Sequence, residues 1–462
     1  MTRIQVLLVV LACCLAIHVG VLHADFNASD PGPRPDPPNG PTSAGGMLSG
    51  LTPAEQALFA AGLEDFSEAD NIASGLGPRM NLDSCRGCHL APAVGGSSPA
   101  VNPQVAFATA FGARNTVPYF VKVNGPVREA RFKNYPDGAP DGGVHALFVI
   151  SGRKDSTGDA SGCTIRQEDF DLQGQRGNVV FRIPTPLFGA GLIEAIPDST
   201  INNNLAATAN ARAQVGIAGR TNRIPVTGSP NTSGNDGTVT RFGWKAQNKS
   251  LLIFAGEAYN VEQGITNEVF SQERDENPSC QFATVPNDTT NAGGTSAAET
   301  LSGPEKFAAF VRFLAPPTPS ITGPGTPVSI ANGKTLFQKV GCALCHTPTL
   351  FTGNATVAAL RKKPVNLYSD LALHGMGAGL ADDISQGVAN GDEFRTAPLW
   401  GVGQRLFFLH DGRATSLEGA ISAHRSGGNN KYQPSEANNV IDNYFQLSQS
   451  QQQDLLNFLR SL

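Results

Sequence analysis

Two stretches of sequence decide the fold: Cys85-Arg86-Gly87-Cys88-His89 and Cys342-Ala343-Leu344-Cys345-His346. In each stretch two thiols and one imidazole lie on a single turn, and this spacing is typical of c-type haem attachment. The thiols add to the haem vinyl groups, and the histidine that follows becomes the proximal ligand of the iron. Zinc or redox thiols are the alternative interpretation, but zinc would require further cysteine or histidine ligands nearby. The sequence therefore predicts two covalently attached haem c groups.

The remaining cysteines indicate a disulfide. The chain has eight cysteines, of which two lie within the first 24 residues and four lie in the two motifs. The last two, Cys163 and Cys280, most simply form a disulfide with a structural role. By the loop-entropy argument such a bond stabilises the fold by about 4–5 kcal/mol at most. We expect it to fasten the region between the two haem motifs.

The first residues resemble an export signal. Residues 4–22 are apolar except for Gln5 and His18, they follow Arg3, and they end before Ala24 and the polar Asp25. A basic start, an apolar stretch and a small residue at the cut are typical of a signal peptide. A membrane anchor of similar length is the alternative. We expect residues 1–24 to be a signal peptide and the mature protein to be periplasmic or otherwise exported, with no membrane contact after cleavage.

The composition excludes several classes of protein. Of 462 residues, 34 are lysine or arginine and 39 are aspartate or glutamate, so the net charge of −5 argues against a nucleic-acid surface. Hydrophobic residues make up 40% of the chain, enough to form a core. Only 16% of residues are charged, whereas 51 are glycine and 32 are proline. Long charged helices and coiled coils are therefore excluded, and loops are expected to be long.

A diverged internal repeat follows the haem motifs. A Pro-Leu-aromatic-Gly-x-Gly turn occurs at residues 186–191 and again at 398–403, preceded by Arg182 and Arg395 respectively. Residues 242–251 can also be aligned with residues 408–417. Because these features keep the same order in both halves, they indicate a duplication. We expect a mainly α fold of two cytochrome c-type haem domains with long loops, and an insertion of loops and short strands in the first.

The predicted domain boundaries follow from proline and glycine. Residues 25–50 are rich in both and predict a disordered linker. Five prolines between residues 316 and 327 interrupt any helix there. We therefore expect an N-terminal haem domain with insertions over residues 51–318 and a C-terminal cytochrome c domain over residues 319–462.

The chain resembles the bacterial di-haem oxidoreductase family, which is often labelled thiol oxidoreductase and is distantly related to di-haem cytochrome c peroxidase. Besides the motifs and turns above, four segments carry the resemblance: residues 241–246 (RFGWKA), 260–267 (NVEQGITN), 368–377 (YSDLALHGMG) and 409–413 (LHDGR). The resemblance extends over residues 50–462. It implies an oxidoreductase that passes electrons between two haems, with peroxidase-like chemistry at the N-terminal haem.

The sixth position of each iron decides which of these activities is available. An iron with protein ligands on both faces suits electron transfer, whereas an open iron can bind peroxide or another small molecule. Beyond the proximal ligands His89 and His346, the resemblance implies His424 as distal ligand of the second haem, with Met376 as the second candidate. For the first haem the candidate is His145, although a lone histidine in an apolar segment is more often a core residue. Met80, five residues before Cys85, is a weaker candidate, because a loop methionine usually only packs. If neither residue binds, the first iron is open and is the reactive centre.

A peroxide-cleaving site also needs a group that takes a proton from one oxygen and returns it to the other. A buried carboxyl group of raised pKa can do this. The resemblance implies Glu262 as the first candidate and Glu194 as the second. The glutamine that relatives place before this glutamate is absent from residues 250–255, which read SLLIFA.

Two further roles are implied by the resemblance. Trp244, one of two tryptophans in the chain, matches an aromatic residue that lies between the haems of relatives and assists electron transfer. Residues 396–398 (TAP) resemble a segment that supplies backbone ligands to calcium, so Ca²⁺ is a candidate third cofactor.

Three functions from different classes fit these residues. The first is an exported di-haem oxidoreductase, the second is a pure electron-transfer cytochrome, and the third is a haem-based module that binds or senses a small molecule. The free face of the first iron and the position of Glu262 distinguish them. We expect the partners to be small redox proteins or a small-molecule oxidant, and the acidic surface would attract a basic partner.

Overall fold

The computed structural model describes residues 27–35, 44–223, 239–275, 277–283 and 285–462. Within these ranges the fold is mainly α-helical, as the sequence predicts, with small antiparallel sheets between the helices. The predicted signal peptide, residues 1–24, lies outside the described residues. No helix in the described ranges combines the length and the apolar character needed to cross a bilayer.

Fourteen α-helices lie in the described part of the chain. They are α1 Pro53–Ser67, α2 Cys85–Cys88, α3 Gln104–Phe107, α4 Phe170–Gln175, α5 Ala190–Glu194, α6 Asp198–Gln214, α7 Leu251–Gln263, α8 Ala297–Thr300, α9 Gly303–Phe313, α10 Pro327–Val340, α11 Gly377–Leu380, α12 Leu417–Ala423, α13 Asn438–Phe445 and α14 Gln449–Ser461. Most are short, and long loops connect them.

Eleven short strands accompany these helices in the same ranges. They are β1 Arg79–Met80, β2 Glu129–Phe132, β3 Val144–His145, β4 Phe148–Val149, β5 Lys154–Asp155, β6 Gly158–Asp159, β7 Val179–Arg182, β8 Leu350–Phe351, β9 Pro364–Val365, β10 Leu373–Gly375 and β11 Glu393–Arg395. Strand β2 pairs with both β3 and β7, and Ala130 lies opposite His145 on one side and Phe181 on the other. The other pairs are β1 with β4, β5 with β6, β8 with β9 and β10 with β11.

Helices α1 and α9 pack closely together in the first half of the chain. Helix α1 begins in a capping box, in which the Thr52 backbone N–H donates to Glu55 at 2.7 Å and the Glu55 N–H donates to the Thr52 hydroxyl at 3.3 Å. Gly62 allows the close approach, because a Cβ atom there would lie 2.2 Å from the Lys306 carbonyl oxygen. Four phenylalanines fill the contact: Phe59, Phe66, Phe307 and Phe310.

Helices α10 and α14 make a similar contact in the second half. Helix α10 begins after Thr326, whose side chain accepts a hydrogen bond from the Ser329 N–H at 3.1 Å. Gly333 lies directly against α14, because a Cβ atom there would lie 1.9 Å from the Asp454 carbonyl oxygen. Apolar side chains from both helices form the buried core here: Leu336, Phe337, Leu455, Leu456 and Phe458.

The segment at residues 27–35 differs from the predicted disordered linker, because it is bound to the second half of the chain. Asp30 forms two bonds of 2.6 Å with Arg460 on α14, and its carboxylate also accepts from the Leu417 N–H at the start of α12. Arg34 donates to the Thr318 carbonyl at 2.9 Å. The segment is ordered because Asp30 and Arg460 form a buried ion pair. These two residues are 430 positions apart, so local composition does not reveal the pair.

The predicted disulfide between Cys163 and Cys280 is present. The S–S distance is 2.04 Å, the Cα atoms are 4.7 Å apart, and both side chains are buried. The bond lies in an apolar cluster with Ile72, Met80 and Phe148. It joins the region that contains β5 and β6 to the loop that precedes α8.

Candidate functional site

The first Cys-x-x-Cys-His motif lies on the wall of a cavity with an empty volume of about 1230 Å³. Helix α2 is a single turn that contains both cysteines, and His89 follows as its C-cap. The His89 Nδ1 atom is 3.0 Å from the Gly96 carbonyl oxygen, so Nδ1–H is the donor and Nε2 keeps its lone pair. Burial lowers the pKa of His89 to about 4. The imidazole is therefore neutral and able to bind iron.

The second motif lies on the wall of a cavity with an empty volume of about 1430 Å³. Residues Cys342–Leu344 form a 3₁₀ turn, and Cys345 and His346 follow it. The His346 Nδ1 atom is 3.0 Å from the Tyr368 carbonyl oxygen, again leaving Nε2 for a metal. Burial lowers the pKa of His346 to about 4. The two motifs thus present the same donor set in the same orientation.

These residues fit a haem group in each cavity. Each cavity offers two cysteines, one neutral histidine with a free Nε2 atom, and walls formed mainly by apolar side chains. The four motif cysteines form no disulfide. Within the described ranges, no cluster of three or more His, Cys, Asp or Glu side chains is arranged to bind a metal ion directly. The donor set therefore fits c-type haem better than zinc.

The second cavity contains the predicted distal candidates. His424 is the C-cap of α12, and its Nδ1 atom lies 2.7 Å from the Ala420 carbonyl oxygen, so Nε2 is free. Met376 lines the same cavity. His424 is close enough that its charge would lower the pKa of His346. The structure therefore places both candidates at the second motif.

Two other histidines of this cavity differ in their environments. The His374 Nε2 atom is 3.0 Å from Asp370 and its Nδ1 atom is 2.8 Å from Glu436, so both nitrogens are occupied by carboxylates. The His410 ring stacks on Phe394 with 4.1 Å between ring centroids. His374 is thus satisfied by protein partners, and His410 is a wall residue of the cavity.

The structure corrects the expectation for His145. Its ring lies outside the residues that line either cavity. Its Nε2 atom is 2.8 Å from Asp141, its Nδ1 atom is 3.6 Å from Glu168, and the ring stacks on Phe132. Because carboxyl groups face both nitrogens, His145 is held by protein partners on strand β3 and is not placed to bind the first iron.

Glu262, the first candidate for the acid and base, lines the first cavity. It occupies the last turn of α7 and lines the first cavity together with the motif cysteines and His89. Its backbone carbonyl accepts from the Asn81 N–H at 2.6 Å, which fixes this end of the helix. Burial raises the pKa of Glu262, and together with the nearby carboxylates of Glu129 and Glu257, and against the opposing charge of Arg131, it brings that pKa to about 8.

Glu194, the second candidate, does not line the cavity. Its Oε1 atom accepts from the Leu251 N–H at 2.9 Å and its Oε2 atom accepts from Arg312 at 2.8 Å. The side chain is fully buried. It therefore connects α5 to the start of α7 and to α9, and the expectation that it acts as an acid or base is corrected.

Sequence reasoning missed several polar residues of the first cavity. Glu129, Arg131, Gln247 and Glu257 all line it. Glu257 accepts a hydrogen bond from Asn248, and Arg131 is 2.5 Å from Glu129. The sequence did contain one signal for these residues, since Glu257 is a second glutamate on the mostly apolar helix that contains Glu262.

Trp244 lines both cavities. The indole Nε1–H donates to the Ile183 carbonyl at 2.9 Å, and the Trp244 carbonyl accepts from the Arg395 N–H at 2.8 Å. The ring is 6.5 Å from the His410 ring between centroids. Residues from both halves of the chain therefore hold this indole in the wall that the cavities share.

The segment proposed for calcium also borders the second cavity. The Thr396 carbonyl accepts from the Ser369 hydroxyl at 2.6 Å and from Arg395 at 3.3 Å. Nearby, the buried Lys245 ammonium group lies 3.1 Å from Asp382 and donates to the Asn390 carbonyl at 2.8 Å. A cation of the protein itself is therefore already present in this region, and calcium binding stays a prediction.

Comparison with known families gives one extended match. The sequence model described as "Di-haem oxidoreductase, putative peroxidase" matches residues 128–462. This range includes the second motif, Trp244 and Glu262, and it begins after the first motif. No curated protein is significantly similar to the chain.

Several solved structures are distantly similar. Hydrazine synthase of Kuenenia stuttgartiensis is 18% identical over 36% of this chain and 56% of its own, with a TM-score of 0.23. A MauG-like protein associated with microbial copper homeostasis is 19% identical over 37% of this chain and 55% of its own, with a TM-score of 0.25. The diheme peroxidase BthA of Burkholderia thailandensis E264 is 13% identical over 52% of this chain and 75% of its own, with a TM-score of 0.28. The chain thus spans little more than half the length of the first two.

Proposed function

Because the chain belongs to the di-haem oxidoreductase family, we propose that it is an exported di-haem c-type oxidoreductase with peroxidase-like activity at its N-terminal haem. The family implies two haems. Cys85 and Cys88 would hold the first through thioether bonds, and Cys342 and Cys345 would hold the second. When bound, each haem supplies one-electron redox chemistry at its iron.

One observation carries this proposal: the two cavities differ in the side chains available as a second axial ligand. Among the described residues that line the first cavity, His89 is the only histidine and there is no methionine. The second cavity has His424 and Met376 in addition to His346. The difference favours an open sixth position at the first iron and a protein ligand at the sixth position of the second iron. A reactive centre that is served by an electron-transfer centre requires this arrangement.

Glu262 is the proposed acid and base of the open site. With its pKa raised to about 8, the carboxyl group holds a proton at neutral pH and can still release it. Glu262 lines the first cavity five residues after Glu257, and a small oxidant would be held in that cavity.

Trp244 is proposed as the connection between the sites. Trp244 lines both cavities and so provides an aromatic group between them. The bond from its Nε1–H to the Ile183 carbonyl orients the indole, and the Arg395 N–H binds the Trp244 backbone carbonyl. The electron donor or acceptor is proposed to be a small redox protein.

The two-domain organisation is also a proposal, with domains at residues 51–318 and 319–462 that arose by duplication. It is supported by the parallel between the contact of Gly62 with α9 and the contact of Gly333 with α14. The last glycines of the two Pro-Leu-aromatic turns behave alike, since a Cβ at Gly191 would lie 1.9 Å from the carbonyl of residue 312 and one at Gly403 would lie 2.1 Å from that of residue 460. Export is supported by the apolar start of the chain and by the disulfide.

The test is to produce the full chain in a host that exports and attaches c-type haem, and to measure covalent haem and peroxide consumption together. We expect two haems per chain, and one in each of the Cys85→Ala and Cys342→Ala variants. We expect the wild type to consume hydrogen peroxide with a reduced electron donor, and both variants to lose this activity. Two haems without peroxide consumption would instead identify an electron carrier, and unchanged haem content in both variants would overturn the attachment sites.

A further inference from the structure

We propose that Arg395 and Arg405 form a binding site for the paired carboxylates of the cofactor, the haem propionates, in the second cavity. Both arginines line that cavity. The inference rests on the proposed function, since it requires a haem at Cys342, Cys345 and His346. It assigns a role to two arginines that the motifs do not explain.

Arg395 is held by backbone atoms alone. Its Nε–H donates to the Gly243 carbonyl at 3.0 Å and its Nη1–H donates to the Thr396 carbonyl at 3.3 Å. The side chain is buried, with 9% of its surface exposed. These two bonds fix the plane of the guanidinium group and leave its other N–H groups for another acceptor.

The half-buried Arg405 side chain is also held by a backbone atom. Its Nη2–H donates to the Pro398 carbonyl at 3.0 Å. Its own backbone carbonyl accepts from Arg460 at 3.0 Å, so the main chain at this position is tied to α14. Burial lowers the pKa of Arg405 to about 10, and burial together with the charge of Arg405 lowers the pKa of Arg395 to about 10.

The missing component is an anion. In the described ranges neither guanidinium group has a carboxylate partner, whereas the buried arginines Arg182, Arg241 and Arg460 each have one. Two like charges in an apolar cavity are costly unless an anion compensates them. Arginine also matches carboxylate geometry, because it can donate two parallel hydrogen bonds.

The chemistry of the cavity identifies the anion. A small inorganic anion would neutralise one charge, but the two cysteines and His346 indicate that a haem occupies the space, and a haem has two carboxylates. The first cavity has the corresponding residue in Arg182, which precedes the same Pro-Leu-aromatic turn and lines that cavity. Arg182 differs because Asp382 neutralises it at 2.9 Å. The second cavity is thus expected to hold its haem carboxylates more strongly.

The experiment measures the reduction potential of each haem spectroscopically in the holoprotein, for the wild type and for Arg395→Gln, Arg405→Gln, Arg395→Lys and Arg405→Lys. A positive charge beside the haem favours the reduced form. We therefore expect each glutamine variant to shift the second haem to lower potential and to leave the first haem unchanged. The lysine variants should shift it much less. Arg361→Gln is the control, because Arg361 lies in the same half and donates only to carbonyls outside the cavity.

Each outcome decides the matter. If the glutamine variants lose the second haem while the lysine variants retain it, the charge requirement is supported. If lysine and glutamine variants both lose it, the arginines act only through packing and the proposal is overturned. An unchanged potential in haem-loaded glutamine variants also overturns it. If wild-type protein contains no second covalent haem, the proposed function itself fails.

Discussion

Two glutamates at the ends of neighbouring helices show how environment selects function. Glu194 is fully buried, and Arg312 and the Leu251 N–H each bind one of its two carboxyl oxygens. Burial and the nearby carboxylates of Glu129 and Glu257 instead raise the pKa of Glu262. The same residue type is therefore a structural link between helices in one place and a proton-holding group in the other.

At this scale we predict a pH profile. Peroxide consumption that depends on protonated Glu262 should be constant below neutral pH and fall as pH rises through about 8, because the carboxyl then ionises. Glu262→Gln should reduce the rate about 10²–10⁴-fold and remove this pH dependence. The measurement is steady-state peroxide consumption between about pH 5 and about pH 10, a range that spans the pKa of Glu262.

The control for this profile is Glu268→Gln, since Glu268 is exposed and lies outside the cavity. It should retain the wild-type curve. A Glu262→Gln variant with wild-type rate and profile would show that another group handles the proton.

At the scale of elements, helix α12 depends on the segment at residues 27–35. Asp30 binds the first N–H of α12 at 2.7 Å and binds Arg460 on α14 through two contacts. The other end of α12 is His424, which lines the second cavity. A carboxylate at the start of a helix also favours the helix dipole. The segment thus fixes the helix that ends at the proposed distal ligand.

We predict that Asp30→Asn lowers the free energy of unfolding by about 3–5 kcal/mol, because it leaves the buried Arg460 charge without its partner. The pKa of Asp30 lies below its ordinary value, mainly through Arg460 opposing the effect of burial, so this stabilisation is present at neutral pH and is lost as pH falls through the folded pKa. Denaturant unfolding at pH 7 measures it. Asp159→Asn, at the exposed pair with Lys154, should leave stability nearly unchanged, because water and salt screen such a pair. Equal effects of the two substitutions would contradict the role of the segment.

We make a second prediction about the close contacts of α1 with α9 and of α10 with α14. Gly62→Ala and Gly333→Ala place a methyl group against the backbone of α9 and α14, and each should cost about 1–3 kcal/mol of stability through overpacking. Gly162→Ala is the control, since a Cβ there meets no atom within 4 Å. Thermal unfolding of the three variants measures the difference. Stability of the Gly62 and Gly333 variants equal to that of the control would show that the helices can separate without cost.

At the scale of the whole molecule, the local motifs were predictable and the distant partners were not. The Cys-x-x-Cys-His spacing, the disulfide and the family segments led to both cavities, Glu262 and Trp244. His145 and Glu194 were misassigned because Asp141, Glu168 and Arg312 determine their roles, and those contacts depend on the fold. The order of residues 27–35 was missed for the same reason, because it depends on the bond between Asp30 and the distant Arg460.

The disulfide supplies a prediction for the molecule as a whole. Replacing Cys163 and Cys280 together by serine should lower stability by about 2–5 kcal/mol, because the bond closes a long loop in the unfolded chain. Haem content should remain at two per chain, since neither cysteine lines a cavity. Denaturant unfolding with a parallel haem assay measures both. Loss of a haem in this variant would mean that the bond shapes the haem sites directly.

The central claim is that the first iron is open and the second is closed by His424. Low-temperature electron paramagnetic resonance of the oxidised mature protein, before and after one addition of hydrogen peroxide, tests it most directly. We predict one high-spin signal that changes with peroxide and one low-spin signal that does not, with the low-spin signal becoming high-spin in His424→Gly. Two low-spin signals indifferent to peroxide would contradict the account and identify an electron carrier.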